Sequence, residues 1–194
     1  MGKGEATRQR IVEAAAPLFN QRGFAGCSMQ DVMQATGLEK GGLYRHFSSK
    51  EELAAESFEY ALSRAVKTRT DGLEHVEGAI NKLCYLVDRF VTTPAPLPGG
   101  CPLLNTAIDA DDGNAKLRGM VREGIQDWKS RVARIAEEGR QRGEIRNDVN
   151  PQQVANTIIA MLEGSLMISR IEGNRDALRD AATTLRQLIE SFAV

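Results

Sequence analysis

The segment from Ser28 to Lys50 constrains the fold of this chain more than any other stretch. Ser28 is a preferred helix N-cap residue, and Asp31 three residues later can complete a capping box. Gly37 ends the first short helix, because glycine readily adopts the left-handed conformation that such a turn needs. A second short helix follows at once. Two short helices joined by a tight turn are typical of a helix-turn-helix DNA reader.

The second short helix carries the side chains that we expect at base edges. A recognition helix presents its N-terminal residues to the bases, and Glu39, Lys40 and Gly41 occupy that end. Leu43 and Phe47 supply apolar anchors on the opposite side. The pattern therefore predicts a polar reading face and a buried back face.

Charge is distributed in a way that fits this interpretation. Residues 1–50 hold 7 Lys+Arg and 4 Asp+Glu, a net charge of +3, whereas residues 51–194 hold 18 and 22, a net charge of −4; the sum is the overall −1. DNA affinity depends on local positive charge near phosphates and not on the charge of the whole chain.

The same stretch resembles the tetracycline-repressor (TetR) family of bacterial transcription regulators over about residues 7–53. Upstream, Thr7 to Phe19 followed by Arg22-Gly23-Phe24 resembles the first helix of the family and its closing turn. The resemblance implies an all-α protein of about nine helices. A three-helix DNA-binding domain is expected at residues 1–50, and a ligand-binding and dimerisation bundle at residues 51–194.

Five residues match positions that touch DNA in this family: Ser28, Lys40, Tyr44, His46 and Lys50. The resemblance implies that Tyr44 places its phenol on a phosphate and that Lys50 pairs with another. The alternatives are a purely packing role for the tyrosine and a solvated charge for the lysine.

Gly42 and Glu39 also belong to the predicted DNA-binding site, but neither is the residue type expected there. The family commonly has Thr or Ser where Gly42 stands, so a hydroxyl contact is lost there or the backbone approaches DNA closely. Glu39 either accepts a hydrogen bond from a cytosine amino group or is a helix N-terminal charge that faces away from the groove.

Helical periodicity recurs through the rest of the chain, and strand signals are nearly absent. A Pro- and Gly-rich run at residues 93–100 reads as a loop within one domain. The predicted helices cover 7–21 with a bend at Pro17, 49–66, 71–93, 102–109, 114–142, 150–171 and 175–192.

By analogy with the family, the C-terminal domain should bind a small apolar or amphipathic effector. The candidate lining residues are apolar, and for each one taken singly an ordinary core position is the preferred explanation. They are Phe58, Leu62, Leu83, Phe90, Leu104, Trp128, Met161 and Met167.

The helix predicted at 150–171 is apolar on two faces, so it must bury both. The resemblance implies a homodimer in which the last two helices pack against their copies. The residues predicted to face the partner are Val154, Ile158, Leu162, Ser165, Leu185 and Ile189.

No catalytic, metal or cofactor motif emerges, so we expect none of these functions. His46 and His75 lack a motif-linked nucleophile or metal ligand, and the three cysteines form no CxxC pair. The acidic run at residues 109–112 lacks the glycine and distal glutamate of a calcium loop. We also predict no membrane span and a cytoplasmic location.

The sequence thus predicts a ligand-responsive, sequence-specific transcriptional regulator, a repressor that a small effector releases from a palindromic double-stranded DNA operator. One alternative is a helical small-molecule-binding protein or enzyme without effector-controlled DNA binding, which would need a convergent polar site in the C-terminal region. Another is a constitutive DNA-binding protein with a filled core.

Overall fold

The computed structural model describes residues 2–110 and 113–194, and the protein is 77% helical. The described residues contain no strand, only an isolated antiparallel bridge between Ile145 and Ala193. The all-α prediction is confirmed. The helices are α1 (Lys3–Gly26), α2 (Met29–Thr36), α3 (Lys40–Tyr44), α4 (Lys50–Thr70), α5 (Ala79–Thr92), α6 (Pro102–Ala110), α7 (Ala115–Gln141), α8 (Pro151–Glu172) and α9 (Asp176–Glu190).

The chain divides into two compact units, and the division does not follow the predicted boundary at residue 50. The first unit extends to Val66 and also takes in Ala95–Gly124; the second comprises Lys67–Pro94 and Ile125–Val194. Helices α4 and α7 each run from one unit into the other. Helix α6 and the first turns of α7 therefore belong with the predicted DNA reader.

Polar contacts between α1 and α6 explain this grouping. Asn105 on α6 donates through Nδ2 to the backbone carbonyls of Asn20 (2.9 Å) and Gly99 (2.7 Å). The Asn20 side chain in turn donates to the carbonyl of Pro98 at 2.8 Å. The loop before α6 and the helix itself are thus tied to α1 by side chains that sequence patterns do not pair.

The predicted bend in α1 lies elsewhere. The backbone keeps helical angles at Pro17 and departs from them at Gly23, with φ 74° and ψ 173°. A side chain at this glycine would also collide with Asp109, whose Oδ1 lies 2.7 Å from the Cβ position. Gly23 therefore ends the regular helix and lets α6 approach closely.

The helix predicted to begin at residue 71 is shorter than expected. A 3₁₀ turn spans Leu73–His75, and α5 begins only at Ala79, after Gly78 with φ 80°. The Ala79 N–H donates to the Glu144 carboxylate, which follows α7. A long-range cap that local pattern cannot reveal thus sets the start of α5.

Helix α8 begins and ends as its sequence signals indicate. The Asn150 side chain accepts from the N–H groups of Gln152 (2.9 Å) and Gln153 (3.2 Å), and left-handed Gly173 ends the helix. By length and composition α8 could cross a membrane, with a mean hydropathy of 1.3 and 33% of the window buried. Helix α8 packs against α5 and α9, as a core helix of a globular protein does.

Candidate DNA-binding surface

Helix α2 is fixed by the capping box that the sequence predicts. The Asp31 N–H donates to Ser28 Oγ at 3.1 Å, and the Ser28 N–H donates to Asp31 Oδ2 at 2.7 Å. The Ser28 side chain, followed by its backbone N–H, lowers the pKa of Asp31. Arg22 also pairs with Asp31, at 2.8 Å. The Ser28 hydroxyl therefore serves the cap in the free protein and remains exposed.

Two fully buried anchors hold the recognition helix α3. Gly37 takes the left-handed conformation at the end of α2, with φ 68° and ψ 16°. Leu43 and Phe47 are each 0% exposed, in one apolar cluster with residues of α1, α2 and α4. Because α3 has only five residues, its position depends on these two contacts and not on its own helical hydrogen bonds.

The residues at the start of α3 face solvent. Glu39, Lys40 and Gly41 are exposed, and Glu39 is the N-cap without a side-chain capping bond. A Cβ at Gly42 would lie 3.6 Å from Leu38 Cδ2, which is an ordinary contact. Packing within the protein therefore does not require glycine at position 42.

Tyr44 lies on the same outward face. Its side chain is 43% exposed, so it is not a core residue of the free protein. The Lys40 ammonium lies 6.0 Å from the centre of its ring. Arg45, which sequence analysis did not select, is also exposed at the end of α3 and adds a positive charge there.

Lys50, at the start of α4, contacts the last turn of α1. Lys50 Nζ lies 4.3 Å above the Phe24 ring, within cation–π range. The Glu52 N–H donates to Ser49 Oγ at 3.1 Å, and Glu52 Oε2 accepts in return from the N–H of Ser48 at 2.8 Å.

Arg8 of α1 ties the recognition helix to α4, a role that sequence analysis missed. Its guanidinium lies 4.0 Å from the Phe47 ring centre and donates to the backbone carbonyl of His46. It also pairs with Glu52 at 2.6 Å and with Glu56. Two carboxylates four residues apart on α4 were the available signal, since such a pair lies on one helix face.

Comparison with known proteins identifies the chain. A family model described as bacterial regulatory proteins, tetR family, matches residues 11–56, and one described as tetracyclin repressor-like, C-terminal domain, matches residues 79–185. The second match alone covers more than half of the chain. The chain belongs to the TetR family.

Solved structures and a curated relative agree with this assignment. A TetR transcriptional regulator from Chloroflexus aurantiacus is 42% identical, with a TM-score of 0.94 over 100% of this chain and 98% of that one. A TetR-family regulator from Cytophaga hutchinsonii is 34% identical, with the same TM-score and coverage. The transcriptional repressor DhaR of Mycobacterium sp. (strain GP1) is 27% identical over 179 residues, 92% of this chain and 89% of that protein.

Membership establishes the general function predicted from the sequence. This TetR-family protein is a DNA-binding transcriptional regulator, and the family comprises soluble, ligand-responsive repressors that act as dimers on operator DNA. The enzyme alternative is disfavoured accordingly.

The predicted effector-lining residues are distributed over both units of the TetR fold. Leu83 and Phe90 are buried in the core of the second unit, with Trp128 and Met161 packed against it. The Phe90 and Trp128 rings stack, with centres 5.7 Å apart. The rest differ: Phe58, Leu62 and Leu104 belong to the first unit, and Met167 is exposed.

The residues predicted to face the partner are already buried within the single chain. All six are at most 7% exposed within the single chain, because they pack against the protein's own core; they are Val154, Ile158, Leu162, Ser165, Leu185 and Ile189. Both faces of α8 are apolar, so neither its periodicity nor the resemblance shows which face is left for a partner.

Three large apolar residues on the outer face of α8 remain exposed in the described chain. Met167, Ile168 and Ile171 are 47%, 43% and 85% exposed. With Ala160 and Gly164, they recur at helical spacing along one side, and we call these five residues the α8 outer stripe. A Cβ built on Gly164 meets no atom within 4 Å. Exposed apolar stripes of this kind are typical of protein interfaces.

The contacts of Glu52 predict an acid-sensitive reader. Hydrogen bonds from Ser48, and then from Arg8, lower the pKa of Glu52 from 4.5 to about 2. Its contribution to stability is therefore complete above about pH 4.5 and is lost as the pH falls towards 2. We expect Glu52→Gln to destabilise the protein at pH 7 by about 1 kcal/mol or less, since the pair is partly solvated, and the deficit to shrink below pH 4.5.

Urea unfolding of the wild-type protein and of Glu52→Gln, at several pH values between 7 and 3, measures the difference between their free energies of unfolding. Glu51→Gln is the matched control, because Glu51 is exposed in the same first turn of α4. A deficit for Glu52→Gln that is constant over this pH range contradicts the assignment.

Proposed function

We propose that this chain is a cytoplasmic repressor that binds a pseudo-palindromic operator as a homodimer and leaves it when a small apolar or amphipathic effector binds. The observation that carries the proposal is the exposed start of α3, held in place by fully buried Leu43 and Phe47. This arrangement presents a rigid, polar helix end to a major groove.

The reading residues have different roles in this proposal. Lys40, Gly41 and Glu39 stand at the helix end that meets base edges, so they set sequence preference. We assign Ser28, Tyr44, His46 and Lys50 to phosphates, which position the protein without reading sequence. Because Gly42 has room for a side chain in the free protein, we attribute its glycine to close approach of the DNA backbone.

The dimer forms through the α8 outer stripe in this proposal. The stripe is apolar, exposed and continuous over about three helical turns, and its small residues Ala160 and Gly164 allow two helices to approach closely. A symmetric dimer uses the same patch on both copies. Two reading helices related by this symmetry match two inverted half-sites.

The effector site is assigned to the second unit, around the stacked Phe90 and Trp128 rings. Aromatic and thioether side chains are the usual lining of pockets for apolar ligands, and Met161 packs on the same core. The Arg69 guanidinium lies 3.9 Å from the Phe90 ring centre, and it supplies a polar end for an amphipathic molecule.

Replacing Ile168 tests the dimer. Ile168→Glu places a charge in the stripe, so we expect the dimer dissociation constant to rise at least about 10-fold, equivalent to roughly 1.4 kcal/mol. The monomer fold should persist, because this side chain is already 43% exposed. Gln152→Glu, exposed on the same helix outside the stripe, is the control.

Analytical ultracentrifugation at micromolar concentration gives the readout. A wild-type protein that sediments as a monomer, or an Ile168→Glu variant that dimerises as the control does, eliminates this interface.

Two lysine variants separate reading from positioning. Lys50→Ala should weaken binding to all duplexes alike and reduce the slope of log K against log salt by about 1 unit. Lys40→Ala should instead change which sequences are preferred. Lys82→Ala on α5 serves as the charge-matched control.

Fluorescence anisotropy on a preferred and a scrambled duplex at several salt concentrations distinguishes these effects. If neither variant differs from the Lys82→Ala control, the assignment of the reading surface is wrong.

An effector should lower DNA affinity, and DNA should lower effector affinity by the same factor. Typical coupling of about 1–3 kcal/mol corresponds to a roughly 5–150-fold change. Trp128 is the sole tryptophan, so a compound that binds beside it should change its fluorescence. Compounds found by this signal are then titrated with and without operator duplex; equal affinities in the two titrations exclude effector-controlled release.

A further inference from the structure

A small cavity, partly open to solvent, lies in the first unit where α1, α4 and α6 meet. Its volume is about 20 Å³. Most of its wall is apolar, and polar side chains enter from three different helices. These polar residues are Asn20 of α1, Ser57 of α4, and Asn105, Thr106 and Asp109 of α6.

Ser57 is the unusual member of this wall. It is 1% exposed, and its Oγ has no hydrogen-bond partner among the described residues. A serine in a helix commonly bonds to a carbonyl in the preceding turn, yet Ser57 does not. A buried hydroxyl without a partner is costly, so native proteins nearly always provide one, often an ordered water molecule.

The neighbouring polar groups have direct partners that leave acceptor capacity. Asp109 Oδ2 accepts from the Phe24 N–H, but an ionised carboxylate has about four acceptor sites. The Asn20 Oδ1 atom accepts from Asn105 at 3.2 Å, and an amide oxygen can accept a second bond. Ser57 on one wall therefore faces a shared cavity with acceptors on the other walls.

The volume of the cavity and the polarity of its wall together indicate which molecule it can hold. One water molecule needs roughly 10–15 Å³ of such space and two to four polar partners, and the cavity meets both requirements. An organic effector is far too large for about 20 Å³.

We propose that this cavity is a hydration site, in which one water molecule joins Ser57 of α4 to the polar side chains of α1 and α6. In the same place, α1 and α6 are bonded to each other directly through Asn20, Asn105 and Asp109. Helix α4, which begins beside the reading face, is thus held to this pair by a water bridge and apolar contacts.

The proposal is tested by whether one substitution, Ser57→Ala, raises or lowers the stability of the protein. If water completes the hydrogen bonds of Ser57, Ser57→Ala removes a partner from that water and destabilises the protein. If the cavity is dry, the same substitution removes an unsatisfied hydroxyl and stabilises the protein. Alanine also favours helices over serine, so the comparison needs a control.

Ser63→Ala provides this control, because Ser63 is exposed on the same helix. We expect the melting temperature of Ser57→Ala to lie about 2–4 °C below that of Ser63→Ala, the shift that loss of one hydrogen bond causes in a protein of this size. A melting temperature equal to or above that of Ser63→Ala overturns the proposal.

A crystal structure of the wild-type protein at better than 2 Å gives an independent answer. The expected result is a density peak within about 3.2 Å of Ser57 Oγ and of at least one acceptor on α1 or α6. A cavity without such a peak also overturns the proposal.

Discussion

Burial of Leu43 and Phe47 is the contact on which the DNA-reading surface depends. Helix α3 has five residues, too few to be stable alone, and these two side chains fix it against α1, α2 and α4. Arg8 strengthens this attachment, because it stacks on Phe47 and also pairs with Glu52 and Glu56 of α4. The exposed end of α3 can be rigid because its opposite side is packed and its flank is ionically tied.

A second set of polar contacts extends this rigid unit beyond the reader. Asn105 and Asp109 bond α6 to the end of α1, where Gly23 and the loop at Gly99 allow the close approach. A segment about 80 residues away in sequence is thereby part of the unit that contains the recognition helix. Movement of α6 is consequently expected to reach α1 directly.

The reader was predictable because its signals are local. A cap at Ser28, a left-handed turn at Gly37 and two apolar anchors lie within one short stretch, and these local signals all indicate the same structure. The features that the sequence did not predict share one cause, because contacts between residues far apart in the chain determine them. Periodicity marks both faces of α8 as apolar but cannot say which one the chain covers itself, and Glu144 caps α5 from a distant loop.

The central claim is that two exposed α3 ends of one dimer read two inverted half-sites. Selection of bound duplexes from a random DNA pool by the purified protein, followed by sequencing, tests it most directly. The account predicts enrichment of an inverted repeat with half-site centres about 34–36 Å apart, or a multiple of that distance. Enrichment of a single unrepeated motif, or no enrichment at all, contradicts it.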